Sequence, residues 1–423
     1  MMLCSPTQLA LARPRSVSAL AVPYAEDGCS TSGSFSFHAA PKRHVRKAPA
    51  VVANVRPAYR RAARGSAVRV QASDQHGEVV LVGDIGGTNA RLSLWGTNSS
   101  HQPVELMAKT FPTQDHWVGT GFTEVLKKYM AAAAAQGLAP KAAALAFAGV
   151  VEDNRCDMTN TPWEVDGSAL EKEFGIKFAL MNDFEAVGYG VPALDPVTDM
   201  VTLNRGVTKD MAPKVVMGPG TGLGAAQLMW DEGRQDYKVW PGEGSHATFA
   251  PRGWKQQALA AYAAQQLGGH VEIEQVACGP GLELIYSFLL SDEPANRRGI
   301  AMGAAHAKKS SAITSGALNE SDPLAEEAVD MFMAIVGAEA GAMALRCLAK
   351  GGVYIAGGIT PRLLPRLRKC PSGGGALLDG FMARNLRPRF REVLATIPLY
   401  VITNDKVGQI GAREYAKKLA HIK

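Results

Sequence analysis

The sequence predicts a mixed α/β protein built from two similar halves. Three observations carry this. From residue 78 onward, short apolar strand patterns alternate with helical patterns of roughly 10–15 residues, as expected of sheets covered by helices. The 423 residues, 47% hydrophobic and 20% charged, can fill two substantial cores. Finally, "VGDIGGTNARLSLW" (82–95) is echoed by "MGPGTGLGAAQLMW" (217–230). In each, a strand enters, glycines surround a Thr, and a second strand leaves.

Taken in order, residues 1–72 read as a targeting leader, rich in Ala, Arg, Ser and Pro. Their end, "SAVRVQASDQ", is similar to a stromal cleavage site, with a cut near Ala72. The expected destination is a plastid (chloroplast stroma), with a mitochondrion as the alternative and a retained basic tail as the plain reading. Residues 78–82 are a strand with a hairpin partner at 91–95. The Ala-rich stretch 121–136 is a helix, and 142–151 reads as one buried strand stopped by glycine. Segment 178–191 is an apolar strand that ends on two polar residues and turns into a helix. Residues 214–230 are strand, Gly-rich turn and strand; 351–367 are strand, Gly-Gly and a helix opening with Pro361. Weak periodicity over 290–330 reads as a loop or insertion.

Charge and cysteine usage narrow the function. The net charge is +6, but residues 1–72 hold 11 of the 45 Lys/Arg and only 2 of the 39 Asp/Glu. The rest, 34 basic to 37 acidic, is mildly acidic, so a nucleic-acid partner loses its main support. Of six cysteines, Cys4 and Cys29 leave with the leader. The remaining Cys156, Cys278, Cys347 and Cys370 form no CxxC pair, against a disulfide framework or structural zinc. No run of 18 or more apolar residues predicts a membrane span.

The two Gly-rich turns raise the question of what they hold. Neither is a GxxxxGK[ST] loop, and no GxGxxG opens a helix after a strand. Successive backbone N–H groups in tight glycine turns can still form an anion-binding concavity, to which Thr88 and Thr221 would add hydroxyl donors. Two ordinary tight hairpins remain the alternative, since glycine is the default turn residue. Asp84 fits beside phosphates if Mg²⁺ lies between them, directly or through water; as a plain turn residue it would bond its own backbone. Asp183, at the end of the strand "FALMN", could be a functional carboxylate over a cleft or the N-cap of the next helix.

Two hairpin loops, an intervening Asp and a late Gly-Gly turn resemble the actin-like ATPase superfamily. Within it, the chain is similar to the bacterial-type glucokinase family. "LVGDIGGTNARLSLW" matches that family's first phosphate loop. "MTNTPW", "MNDFEAVGYGVP", "GPGTGLGAAQL", "WPGEGSHATFAP", "VACGPGLELIY", "IAGGITPR" and "NDKVGQIGAREY" follow in the family's order across roughly 78–423. The cysteine-rich zinc motif of the related repressor/kinase family is missing. Ser245 departs from the family's usual Gly, and "TNTPW" is a variant of a looser motif.

The resemblance implies a two-domain actin-like ATPase (ribonuclease H-like) fold with a nucleotide/sugar cleft between domains. The small domain would be 76–193, completed by the C-terminal helix 404–423, and the large domain 194–403. It implies ATP-dependent phosphorylation of the 6-hydroxyl of D-glucose, with Asp183 as general base. No unusual pKa is required of Asp183, because the hydroxyl proton can leave late. Asn182, Glu243, His246 and Glu274 match the family's glucose ligands, with Asn160 nearby. Read alone, His246 would be a structural histidine and Glu274, beside Glu272, a solvated helix face. Gly86, Gly87, Thr88 and Asn89 would meet the outer phosphates, Thr221 and Gly222 would oppose them, and Gly357 and Gly358 would admit the adenosine. Asp84 would hold Mg²⁺ through water. A homodimer is expected. Kinases of mannose or fructose are the near alternatives, and a non-kinase actin-fold ATPase or sugar sensor the distant one.

Overall fold

The computed structural model describes residues 77–113, 121–158, 163–292, 308–384 and 388–422. The leader and Asn160 lie outside them.

The first half is built on strands β1 (Val80–Ile85), β2 (Asn89–Thr97), β3 (Pro103–Pro112), β4 (Ala142–Phe147) and β8 (Lys177–Asn182), in the sheet order β3-β2-β1-β4-β8. β1 and β2 pair antiparallel from Val80↔Trp95 to Ile85↔Ala90, whereas β4 and β8 run parallel to β1. β4 is buried at every residue, the continuous apolar run expected of a central parallel strand. Helices α1 (Phe122–Ala135) and α2 (Gly167–Phe174) belong to this half, and α3 (Asp183–Gly190) leaves β8. Phe122, Val125, Leu126 and Tyr129 recur at helical spacing and bury one face of α1 in the core of the first sheet.

The expected single strand 142–151 is instead two elements. β4 stops at Phe147, and Val150–Glu152 (β5) joins β6 (Arg155–Asp157) and β7 (Glu164–Asp166) in a small antiparallel sheet. The break falls at Gly149, where a Cβ would stand only 3.0 Å from the carbonyl oxygen of Asp157. Glycine eases that close approach where the chain leaves the sheet.

The second sheet has the order β12-β11-β10-β13-β14-β9, from β9 (Met200–Asn204), β10 (Lys214–Pro219), β11 (Leu223–Asp231), β12 (Asp236–Pro241), β13 (Val353–Ile355) and β14 (Leu399–Ile402). β10 and β11 form the second antiparallel hairpin, and β13 and β14 run parallel to β10. Helices α4 (Gly253–Leu267), α5 (Gly279–Asp292), α6 (Ser310–Leu318), α7 (Pro323–Cys347), α8 (Thr360–Lys369), α9 (Gly375–Met382) and α10 (Pro388–Thr396) belong to this half.

The expected loop 290–330 contains all of α6 and the start of α7. Sequence periodicity hid them because α6 buries only Ile313 and Ala317. Its stability comes from packing on α7 and from Glu283, whose carboxylate accepts the Ser310 N–H at 2.9 Å. α7 starts sharply, with Asp322 capping and Pro323 in the first turn. By length and composition this helix could cross a membrane, but it carries Glu326, Asp330 and Glu339 and is mostly buried in the core.

A third apolar cluster joins the two sheets. Val82 and Met181 of the first meet Val216, Leu228 and Tyr354 of the second through α3 and the C-terminal helix α11 (Val407–Leu419). α11 packs against α3, β1 and β4, and Gly411 permits its close approach: a Cβ there would lie 1.7 Å from the Ala186 carbonyl oxygen.

Candidate active site

The parallel strands of both sheets point their C-terminal ends at one cavity of about 550 Å³. Its lining follows β1 (Asp84), β4 (Ala146), β8 (Asp183, Phe184), β13 (Ala356, Gly357, Gly358) and β14 (Ile402 to Asp405). Such crevices are where open α/β sheets bind ligands, because loops vary there while the strands hold them rigid.

Asp84 and Asp183 reach that rim by register. Asp84 lies beside Ala146 of β4, and Ala146 beside Met181 of β8, so Asp183 projects just beyond the same edge. Asn182, not Asp183, caps α3: its Oδ1 accepts from the N–H groups of Phe184 at 2.8 Å and Glu185 at 3.4 Å. Its Nδ2 donates to the Gly149 carbonyl at 3.1 Å. One N–H of the amide is left for a ligand, so most of the Asn182 hydrogen-bonding capacity serves the fold.

Asp183 is half-buried, and its Oδ1 accepts the Phe184 N–H at 2.8 Å. Withdrawal from water, with the Asp84 and Glu243 carboxylates adding, pushes its pKa up to about 6 against the Phe184 hydrogen bond. The shift comes from burial in the assembled cleft, which no local sequence pattern encodes. Asp84 is half-exposed and accepts from Arg91 Nη1 at 3.3 Å.

The first hairpin turn, Gly86–Thr88, is closed by Gly86 N–H donating to the Asn89 carbonyl at 2.9 Å. Thr113, fully buried, pins it from below. Its N–H donates to the Thr88 carbonyl at 2.8 Å and its hydroxyl to that of Gly86 at 3.1 Å. Thr88 is left exposed, as is Thr221 at the tip of the second hairpin. There, Gly220 N–H donates to the Gly222 carbonyl at 2.8 Å and Gly220 accepts from Gly279 N–H at 2.8 Å. Gly357 has φ +84°, and a Cβ on it would meet the Pro219 carbonyl oxygen at 2.5 Å. That glycine is therefore required where β13 passes the second hairpin.

The candidate sugar ligands form a neighbouring cluster. Glu243 precedes a single 3₁₀ turn, Gly244–His246, over which Ser245 is buried and His246 exposed. The His246 ring lies between two carboxylates, with Nε2 at 3.8 Å from Glu243 Oε2 and Nδ1 at 2.7 Å from Glu272 Oε2. Glu274 is no solvated helix face: its Oε2 accepts the Leu223 N–H of the second hairpin at 2.7 Å.

Among the described residues no group of three or more His, Cys, Asp or Glu side chains could hold a metal. Asp84, Asp183 and Asp405 are separate carboxylates on the cavity lining, and Asp84 as one hard oxygen donor suits Mg²⁺ only when phosphate and water complete the shell.

A glucokinase family model matches residues 81–419. The chain belongs to the glucokinase family. The glucokinase of Synechocystis sp. is 33% identical over 350 residues, covering 78% of this chain and 96% of its own. That of Nostoc sp. is 35% identical over 355 residues, covering 81% and 99%. The crystal structure of a glucokinase from an Antarctic psychrotroph superposes with TM-score 0.68 at 27% identity, covering 81% of this chain and 99% of that one. A ROK family glucokinase from Streptomyces griseus, solved with glucose and AMPPNP, shares the fold at TM-score 0.50 and 17% identity, covering 81% of this chain and 99% of that one. The fold is the two-domain actin-like ATPase fold.

Within this glucokinase-family site, Asp84, Asp183, Gly357 and Gly358 line the cavity itself, while the other described candidates stand on the hairpin turns, on the 243–246 loop, at the end of β8 (Asn182) and in the 3₁₀ turn Glu274–Val276 (Glu274). Sequence reasoning missed Thr113 and Phe184, which position the loops, and Arg362, Asn404 and Asp405, which line the cavity. "IAGGITPR" and "NDKVGQIGAREY" carried the signal for the last three. Nothing local marks Thr113.

Proposed function

We propose that this chain transfers the γ-phosphoryl group of ATP to the 6-hydroxyl of D-glucose, releasing ADP and glucose 6-phosphate. The observation that carries the reading is Asp183, a carboxylate of raised pKa facing the same cavity as Asp84 and the Gly357-Gly358 turn, in a chain of the glucokinase family.

Asp183 accepts the 6-hydroxyl proton as the phosphoryl group arrives. Its position at the start of α3 holds the carboxylate within reach and in one orientation. Gly86 closes the first turn, and the backbone N–H groups of Gly87 to Asn89 and of Thr221 to Gly222 face the outer phosphates from opposing hairpins, with the two Thr hydroxyls as further donors. Asp84 would hold a phosphate-bound Mg²⁺ through water, and the ion would supply charge neutralisation at the phosphates. Glu243, His246 and Glu274, with the remaining N–H of Asn182, fix the sugar by its other hydroxyls. Closure of the cleft over the sugar excludes water, the competing phosphoryl acceptor.

The same ligand set could serve mannose or fructose, because epimers differ by one hydroxyl; relative kcat/KM decides among them. A leader over 1–72 directing the chain to a plastid, and assembly as a homodimer, belong to the same proposal. Light scattering tests the second, and the first residue of the protein recovered from plastids tests the first.

The experiment is coupled ADP release by the full chain with Mg·ATP, with and without each hexose, beside Asp183→Asn. Expected is glucose-dependent turnover that falls at least about a thousandfold in the variant, the size of lost base catalysis plus misplacement. ATP turnover indifferent to every hexose would instead mark a non-kinase ATPase of the same fold.

A further inference from the structure

The geometry points to Glu272 as a positioning residue of the sugar site: by accepting the Nδ1–H of His246, it fixes the imidazole so that Nε2 is the atom offered to a sugar hydroxyl. The inference rests on the hexose-kinase reading above and adds a residue to it.

The Nδ1 to Oε2 distance is 2.7 Å. A carboxylate at that distance accepts only, so the proton is on Nδ1 and the tautomer is decided. Without a partner, a histidine side chain favours the opposite, Nε2–H form, and its exposed ring could turn over. The backbone of Glu272 is anchored beside the histidine. Its backbone bridges Thr248 just past the histidine, and the neighbouring Ile273 N–H donates to the Ala247 carbonyl at 2.8 Å. Its own N–H donates to Gln275 Oε1 at 2.9 Å. The backbone that carries the carboxylate is therefore fixed to the same small ladder that carries the 3₁₀ turn of His246.

The charged groups that face the ring are Glu272, Glu274 and Glu243. The hydrogen bond that His246 donates to Glu272 comes first among their effects in holding the His246 pKa above its ordinary value. Glu272 thus sets both which nitrogen faces the sugar and the pH at which that nitrogen gains a proton.

The test uses the full chain as wild type, Glu272→Ala and Glu272→Gln. Steady-state kinetics against glucose and ATP across pH are read beside ¹⁵N spectra of the imidazoles, His246 being assigned with His246→Gln. In wild type the His246 signal is expected to be the Nδ1–H form. Glu272→Ala should lose it and raise the glucose KM about tenfold, the cost of one charge-assisted hydrogen bond, with the ATP KM unchanged. Glu272→Gln keeps an acceptor at the same reach, so it should restore most of the glucose KM while its His246 midpoint falls to lower pH. Should the Ala variant not fold, that midpoint shift decides alone. The inference is overturned if wild type turns over glucose while the variants leave its KM within about twofold, or if the His246 signature does not change. A wild type without hexose-dependent turnover fails the kinase reading itself and takes this role with it.

Discussion

The carboxylate of Glu274 accepts the backbone N–H of Leu223 at 2.7 Å, and Gly222 packs so closely on it that a Cβ there would lie 2.6 Å from Oε2. A candidate sugar ligand is thereby bonded to the turn that faces the nucleotide. Glu274→Ala should raise the KM for glucose and for Mg·ATP together, each about tenfold, as expected from losing one charge-assisted hydrogen bond. Glu243→Ala, which touches no nucleotide loop, should raise the glucose KM alone. Two-substrate kinetics on both variants separate these outcomes; an unchanged ATP KM in Glu274→Ala would remove the link.

Asp183 gives the enzyme its acid limb. With a pKa of about 6, the base form accumulates as pH rises, so kcat/KM should climb with unit slope below about pH 6 and level off above it. Asp183→Asn should abolish that limb along with the activity.

The same shift has a stability consequence. A carboxyl whose pKa is higher folded than unfolded stabilises the native state relative to its ionised form only while it is protonated. That contribution is complete below the ordinary Asp pKa of 3.8 and is lost as pH rises through about 6. Asp183→Asn should therefore be more stable than wild type at pH 8, on the order of 1–3 kcal/mol. The gain should vanish below pH 4. Urea melts at the two pH values measure it, and equal stability at pH 8 would contradict the buried-charge account.

Phe184 ties the base to the second sheet. A Cβ on Gly224 would fall 1.9 Å from Phe184 Cδ2, so Gly224→Ala must displace the ring that follows Asp183 in sequence. Overpacking of this kind costs typically 1–3 kcal/mol, and a misplaced base costs rate. The expected result is a folded, less stable protein whose kcat drops at least about tenfold with a modest change in either KM. A Tm drop with unchanged kcat would show that the ring moves without carrying Asp183.

Thr113 offers a separate handle on the nucleotide. Thr113→Val keeps the shape and the backbone bond to Thr88 but removes the hydroxyl bonded to Gly86. Leaving that carbonyl unpaired costs about 1–3 kcal/mol. The first hairpin should loosen, raising the ATP KM severalfold with the glucose KM unaltered. Equal changes in both would point to global destabilisation instead.

Local chemistry made much of this protein legible from its sequence. Strand and helix patterns, the two glycine hairpins, the strand-to-helix turn at Asn182-Asp183 and the Pro361 helix start depend on periodicity, φ preference and capping, which neighbouring residues set. The site residues of the hairpins and of the 243–246 loop were nameable because their motifs are contiguous. Where packing at a distance decides, the chain was silent. The break at Gly149 depends on the Asp157 carbonyl, and α6 on Glu283 and α7. The role of Glu274 depends on Leu223, 51 positions earlier, and Thr113 acts on a turn 27 positions before it. Glu272 takes its importance from a histidine 26 positions before it. The Asp183 shift arises from withdrawal from water and from carboxylates on two other elements. Burial and long-range hydrogen bonds exist only once both sheets are assembled. Sequence therefore determined which groups this protein carries, and tertiary structure decided which of them hold the others in place and at what pH they ionise.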